Sequence, residues 1–136
     1  MSAVKVVVRS VLVVAALATS GCIVEQAPAP SSSLGTVEIQ WTINGRVDSN
    51  LCSQSSAATL AVDLYDSRGY AVGSYDASCG AFATSVGLYD GSYSADARLL
   101  DASGRARSTT VSIAPFWVRA GSTLVVPIDF PSSSFY

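Results

Sequence analysis

The sequence predicts an all-β protein, a seven-stranded antiparallel sandwich, and three observations carry that prediction. From Thr36 onward, apolar residues recur at every second position, the period of a strand with one buried face. Turn-forming residues interrupt the chain about every ten residues, the spacing of sandwiches and barrels. No window of this region shows the spacing of an amphipathic helix.

The first strand is the alternation of Val37, Ile39, Trp41 and Ile43 with Glu38, Gln40 and Thr42, ended by a turn at Asn44-Gly45. Thr59 to Tyr65 is the second, with Leu60, Val62 and Leu64 on its apolar phase, and Tyr70 to Tyr75 returns beside it. Phe82 to Leu88, Ser92 to Leu100 and Arg105 to Ile113 are the next three. Thr123 to Phe130 closes the set with Leu124, Val126, Ile128 and Phe130 facing inward. The expected core is Trp41, Leu60, Val62, Leu64, Val86, Leu88, Tyr93, Leu99, Val111, Ile113, Leu124, Val126 and Ile128. A chain of this size can bury one such core.

Two turns repeat a D-x-x-G pattern: Asp66-Ser67-Arg68-Gly69 and Asp101-Ala102-Ser103-Gly104. An aspartate in the first position caps a turn through its side chain, and a glycine in the fourth supplies positive φ. Each therefore reads as a type I turn with a glycine bulge joining antiparallel strands. Turn chemistry explains the echo without a duplicated module.

Leu88-Tyr89-Asp90-Gly91-Ser92-Tyr93 resembles the L-x-x-G-x-Y run of carboxypeptidase-regulatory-like and transthyretin-like domains, where the tyrosine opens a strand after a tight turn. Cys79-Gly80-Ala81-Phe82 lies where such domains carry Gly-x-Phe. The resemblance implies an Ig-like, transthyretin-like sandwich. It implies no activity, because that family is mostly structural or adhesive.

The N-terminus carries an address. Lys5 and Arg9 precede the apolar run Val11 to Ala18, which is too short to span a bilayer, and small residues follow. Leu17-Ala18-Thr19-Ser20-Gly21-Cys22 resembles the lipobox of bacterial lipoproteins, with Thr19 where the family usually has Leu, Val or Ile. The resemblance implies a signal peptide over residues 1–21 and acylation of Cys22. Ile23, in place of an aspartate, is similar to sequences sorted to the outer membrane. Residues 22–35, with Ala27-Pro28-Ala29-Pro30-Ser31-Ser32-Ser33, read as an acylated cysteine followed by a disordered Pro/Ser-rich linker, and residues 36–136 as the domain. An ordinary secretory signal is the alternative, and under it Cys22 is a spare thiol.

If Cys22 is acylated, Cys52 and Cys79 remain as an even pair in an oxidising compartment and are expected to join. Such a bond stabilises the fold by about 3–4 kcal/mol in the chain-entropy account. Two free structural thiols are the competing reading, and no C-x-x-C spacing points to redox or zinc chemistry.

Composition excludes several functions. Histidine is absent, which removes His-dependent triads, His-ligated zinc and the commonest general base near neutral pH. From Cys22 onward there is no lysine, so Ser-Lys dyads and Schiff-base chemistry are excluded too. That stretch holds all ten carboxylates of the chain against its remaining arginines, an acidic balance unsuited to nucleic acid or to anionic head groups. Membrane association is then expected through acyl chains, at about 0.8 kcal/mol per buried methylene.

The expectation is a non-enzymatic lipoprotein of the cell envelope, without cofactor, that contacts another envelope protein or a glycan. The alternative is a small module binding carbohydrate or calcium. Its carbohydrate surface would use Phe116, Trp117, Tyr70 and Tyr89, since aromatic platforms recognise sugars and peptides. Its calcium site would draw on the turn aspartates Asp66, Asp90 and Asp101, although no EF-hand loop is present.

Overall fold

The computed structural model describes residues 33–136. The expected signal peptide, Cys22 and most of the 22–35 linker lie outside the described residues. Seven strands form: β1 (Gly35–Ile43), β2 (Thr59–Asp66), β3 (Ala71–Ser78), β4 (Ala83–Leu88), β5 (Gly91–Leu100), β6 (Val111–Val118) and β7 (Thr123–Phe130). They make two sheets, a three-stranded β4-β1-β7 and a four-stranded β3-β2-β5-β6. The sandwich predicted from the two-residue period is therefore present.

It is not wholly antiparallel. β1 and β7 pair in parallel from Thr36 opposite Thr123 to Ile43 opposite Phe130. β6 finishes at the end where β1 begins, with Val118 opposite Gly91, and the turn after it crosses to the other sheet there, so β7 runs beside β1 in the same direction. A period of two is the same for either direction, and no hairpin joins the first and last strands to reveal it.

Two further expectations are corrected. The sixth strand is not Arg105 to Ile113 but Val111–Val118, running through Pro115. Between Tyr93 and Ala95 of β5, which pair with Phe116 and Ile113, β6 carries one residue more than its partner. This bulge accommodates the proline, which has no N–H to give a ladder. The segment before β6 instead makes only isolated bridges: Ala106 pairs with Leu100, the Ser108 hydroxyl accepts from the Leu99 N–H, and the Thr109 N–H donates to the Ser134 carbonyl. There is also a short helix, α1 (Ser49–Gln54), whose N-cap Asp48 accepts from the Asn50 N–H. It is less than two turns long and has no periodicity to show in sequence.

The inner faces meet in one core. Val37, Ile39, Trp41 and Ile43 of β1, Leu60, Val62 and Leu64 of β2, and Ala95, Ala97 and Leu99 of β5 are all buried. Each fully buried Val, Leu or Ile contributes about 1.5–3 kcal/mol. Of the expected core, Tyr93, Val111, Ile113 and Leu124 are only half-buried, packed against its margin. Val111, Ile113 and Leu124 border the side where the edge strands β6 and β7 adjoin, and Tyr93 lies beside the 66–69 turn.

Both of these edge strands carry a proline. The Thr36 N–H donates to the Ser122 carbonyl and the Asn44 N–H to the Phe130 carbonyl, so the even-numbered residues of β7 bond to β1. Odd-numbered Pro127 then faces the free edge, where its missing N–H removes a donor that an incoming strand would need.

Candidate functional site

The strand polarities give the sandwich two ends. At one, β1 begins, Gly35 pairs with Leu88 and Thr36 with Thr123, and the turns 66–70, 89–90 and 119–122 gather. At the other are α1, the 79–81 turn, the 101–105 turn and the C-terminus.

Three of the four aromatic candidates are exposed at the first end. Trp117, opposite Ser92, is 58% exposed on the solvent side of β6. Tyr70 and Tyr89 are exposed in the turns before β3 and β5, and the Arg68 guanidinium lies 5.5 Å from the Tyr70 ring centre. Phe116 is different. It pairs with Tyr93 on the core side, half-buried, with ring centres 6.4 Å apart. The bulge at Pro115 sets this phase, so Phe116 and Trp117 face opposite ways. Leu34 and Val72, also exposed at this end, were missed in the sequence because neither sits in a recognisable motif.

The aspartates do not converge. Asp66 lies opposite Tyr93 at the first end of the β2/β5 ladder, whereas Asp101 follows Leu100, the partner of Thr59, at the far end. About 25 Å of strand separates those two ends. Asp90 shares the first end with Asp66, and burial together with those two carboxylates raises the Tyr93 phenol above its ordinary range. Among the described residues, no group of three Asp, Glu, His or Cys side chains is placed to hold a metal ion.

What the turn aspartates do is cap. Asp66 Oδ1 accepts from the N–H groups of Arg68 and Tyr70, at 2.8 and 3.0 Å. Asp101 Oδ1 accepts from those of Ser103 and Arg105, at 2.9 and 3.0 Å. Gly69 and Gly104 both adopt φ of +83°, which completes the predicted glycine bulge in each. The Tyr70 N–H holds the Asp66 carboxyl below its usual range. The Ser103 hydroxyl, followed by the Arg105 N–H, pulls Asp101 down further.

Charge on the four-stranded sheet lies on its outer face. Asp63 stands directly opposite Asp96. Repulsion between them is relieved because the Ser74 hydroxyl and Arg98 bind Asp63 at 2.6 and 2.8 Å, while the Ser112 hydroxyl donates to Asp96. Ser74 and then Arg98 lower the Asp63 pKa. Several hollows flank the strands. One, of about 530 Å³, is lined by Trp41, Phe82, Val47 and Pro127. Another, of about 410 Å³, lies between the 66–69 turn and Ser92, Tyr93, Ser94 and Pro115.

Cys52 and Cys79 are disulfide-bonded, with Cα atoms 6.0 Å apart, and the bond ties α1 to the 79–81 turn. The disulfide suggests an extracytoplasmic location. Among the described residues, no helix is long and apolar enough to cross a membrane.

No protein-family description matches the sequence, and no curated protein does. Among solved structures, the chain is similar to part of a leucine-rich repeat protein from Bacteroides thetaiotaomicron, at 16% identity and a TM-score of 0.49. That match covers 74% of this chain and 12% of the other. It is also similar to part of the minor pilin of Streptococcus agalactiae, at 13% identity and a TM-score of 0.48, over 73% of this chain and 44% of the pilin. The chain thus spans less than half the length of either protein. Likeness at this level carries no argument about function.

Proposed function

We propose that the chain is a non-catalytic lipoprotein of the bacterial cell envelope, anchored through Cys22 to the outer membrane, whose sandwich serves as an interaction domain. The observation that carries the reading is the Cys52–Cys79 bond. It accounts for two of the three cysteines and leaves Cys22, at the close of the signal-like stretch, as the one to be acylated. The non-catalytic part is supported by the use made of the carboxylates: Asp63, Asp66 and Asp101 are held ionised by structural hydrogen bonds and ion pairs. Metabolic labelling with palmitate tests the anchor. The natural protein should take up label and the Cys22→Ser variant should not; label retained in the variant overturns acylation at that residue.

A further inference from the structure

We propose that the end of the sandwich where β1 begins docks onto the lipid–water interface, with Trp117, Tyr70 and Tyr89 seated among the head groups. The proposal rests on the reading of Cys22 as the anchor. It adds an orientation and a set of contacts that acylation alone does not require.

Chain geometry limits where this end can be. Gly35 is the first residue of β1, and the Gly121 N–H donates to the Leu34 carbonyl, so the chain enters the fold here. Twelve residues lie between Cys22 and Gly35 in sequence, a reach of at most about 45 Å. The opposite end lies about 30 Å further along β1. The end that receives the tether is confined within that reach, and the opposite end is not.

Exposed apolar surface has the same polarity. Trp117, Tyr70, Tyr89, Leu34 and Val72 are exposed at the tether end. The far end exposes Val47 and Tyr136 and no tryptophan. Trp and Tyr are the side chains enriched where membranes meet water, because their rings are apolar and one edge is polar.

Charge agrees. At the tether end Asp66 and Asp90 are balanced by Arg68 and Arg119. The outer face of the four-stranded sheet sets Asp63, Asp76 and Asp96 against Arg98 alone. An anionic bilayer repels that face and leaves the neutral end free to approach.

The two tryptophans make the test direct. Trp41 is 1% exposed, with its indole N–H donating to the Cys79 carbonyl, so it is shielded from lipid and from solutes alike. Trp117 is the reporter. The full acylated protein is placed in vesicles of phosphatidylethanolamine and phosphatidylglycerol with brominated acyl chains, and its emission is compared with that of Cys22→Ser and Trp117→Phe variants. The expected result is a blue shift and bromine quenching in vesicles that the Trp117→Phe variant lacks, together with loss of iodide quenching relative to soluble Cys22→Ser protein. If the acylated, vesicle-bound protein keeps an iodide-accessible, bromine-insensitive Trp117, docking is overturned while the anchor stands. If mass spectrometry finds no acyl chain on Cys22, both readings fall. If oligosaccharides shift Trp117 emission in the Cys22→Ser protein and displace it from lipid, the aromatic end is a glycan platform and the membrane assignment is overturned.

Discussion

At the end where β1 finishes, elements distant in sequence are bonded to one another. Cys52 is joined to Cys79, the Trp41 indole donates to the Cys79 carbonyl at 2.9 Å, and the Tyr136 N–H donates to the Arg107 carbonyl. At the end where β1 begins, most side-chain bonds in the turns join near neighbours, Asp66 with Arg68 and Tyr70 and Tyr93 with the Tyr89 carbonyl, and the longer-range links are single hydrogen bonds, from the Ala120 N–H to Asp90 and from the Gly121 N–H to the Leu34 carbonyl. The first arrangement constrains the fold as a whole, and the second shapes loops while leaving aromatic surface in water. The stabilising machinery is thus concentrated away from the surface proposed to do the work. A change at one end should therefore cost stability, and a change at the other should not.

The largest effect is expected at Trp41. Replacing it with alanine removes a fully buried indole, opens a cavity beside Phe82 and leaves the Cys79 carbonyl without its donor. The expected loss is about 3–5 kcal/mol, read as a lower urea midpoint. A loss under about 1 kcal/mol would mean that this end is not where stability resides.

Next comes the disulfide. Exchanging Cys52 and Cys79 together for serine should cost about 3–4 kcal/mol, measured by the same denaturation, because the denatured chain regains the freedom of a long loop. Reducing agent should lower the melting temperature of the natural protein and leave that of the double variant unchanged.

A smaller effect separates the twin turns, one at each end. Asp66, Asp101 and Asp63 all have folded pKa values below the ordinary 3.8. Their contribution is fully present above that value and is lost as pH falls below it, through each lowered folded pKa. Melting temperature should be level above about pH 5 and should decline from about pH 4 downward. Asp101→Asn should remove more of that acid slope than Asp66→Asn, since Ser103 adds a hydroxyl donor where the other turn has Arg68. Equal slopes for the two variants would overturn the distinction.

Sequence patterning made most of the fold legible, because each strand buries one face and a two-residue period records that directly. β7 was readable to the residue, Thr123 to Phe130, and the paired D-x-x-G turns down to the positive φ of Gly69 and Gly104. What was hidden has no local signal. The direction of β7 beside β1 depends on strands at opposite ends of the domain, and α1 is too short to be periodic. Pro115 reads as a strand end, yet a bulge on an edge strand takes it in. That last point also decides the site: with the strand carried past Pro115, Trp117 faces solvent and Phe116 the core, a split that a strand ending at Ile113 does not show. Exposure of Tyr70 and Tyr89 could be guessed from their places in turns, but their gathering with Trp117 at the tether end is a product of the three-dimensional connections.

The sharpest form of the comparison is between the two tryptophans, since both lie in strands and only one is buried. Trp117→Ala removes a side chain from the outer side of β6, opposite Ser92, where no core contact depends on it. The alteration should shift unfolding free energy by no more than about 0.5 kcal/mol, the range for surface substitutions, against several kcal/mol for Trp41→Ala. Urea denaturation of the two variants side by side measures the difference. If Trp117→Ala unfolds as readily as Trp41→Ala, the exposed aromatic end is part of the stabilising structure and is not free to meet a partner. If it folds normally, its conservation of stability separates surface from scaffold, and any loss of vesicle contact in the same variant is then an effect of the ring itself and not of a damaged sandwich.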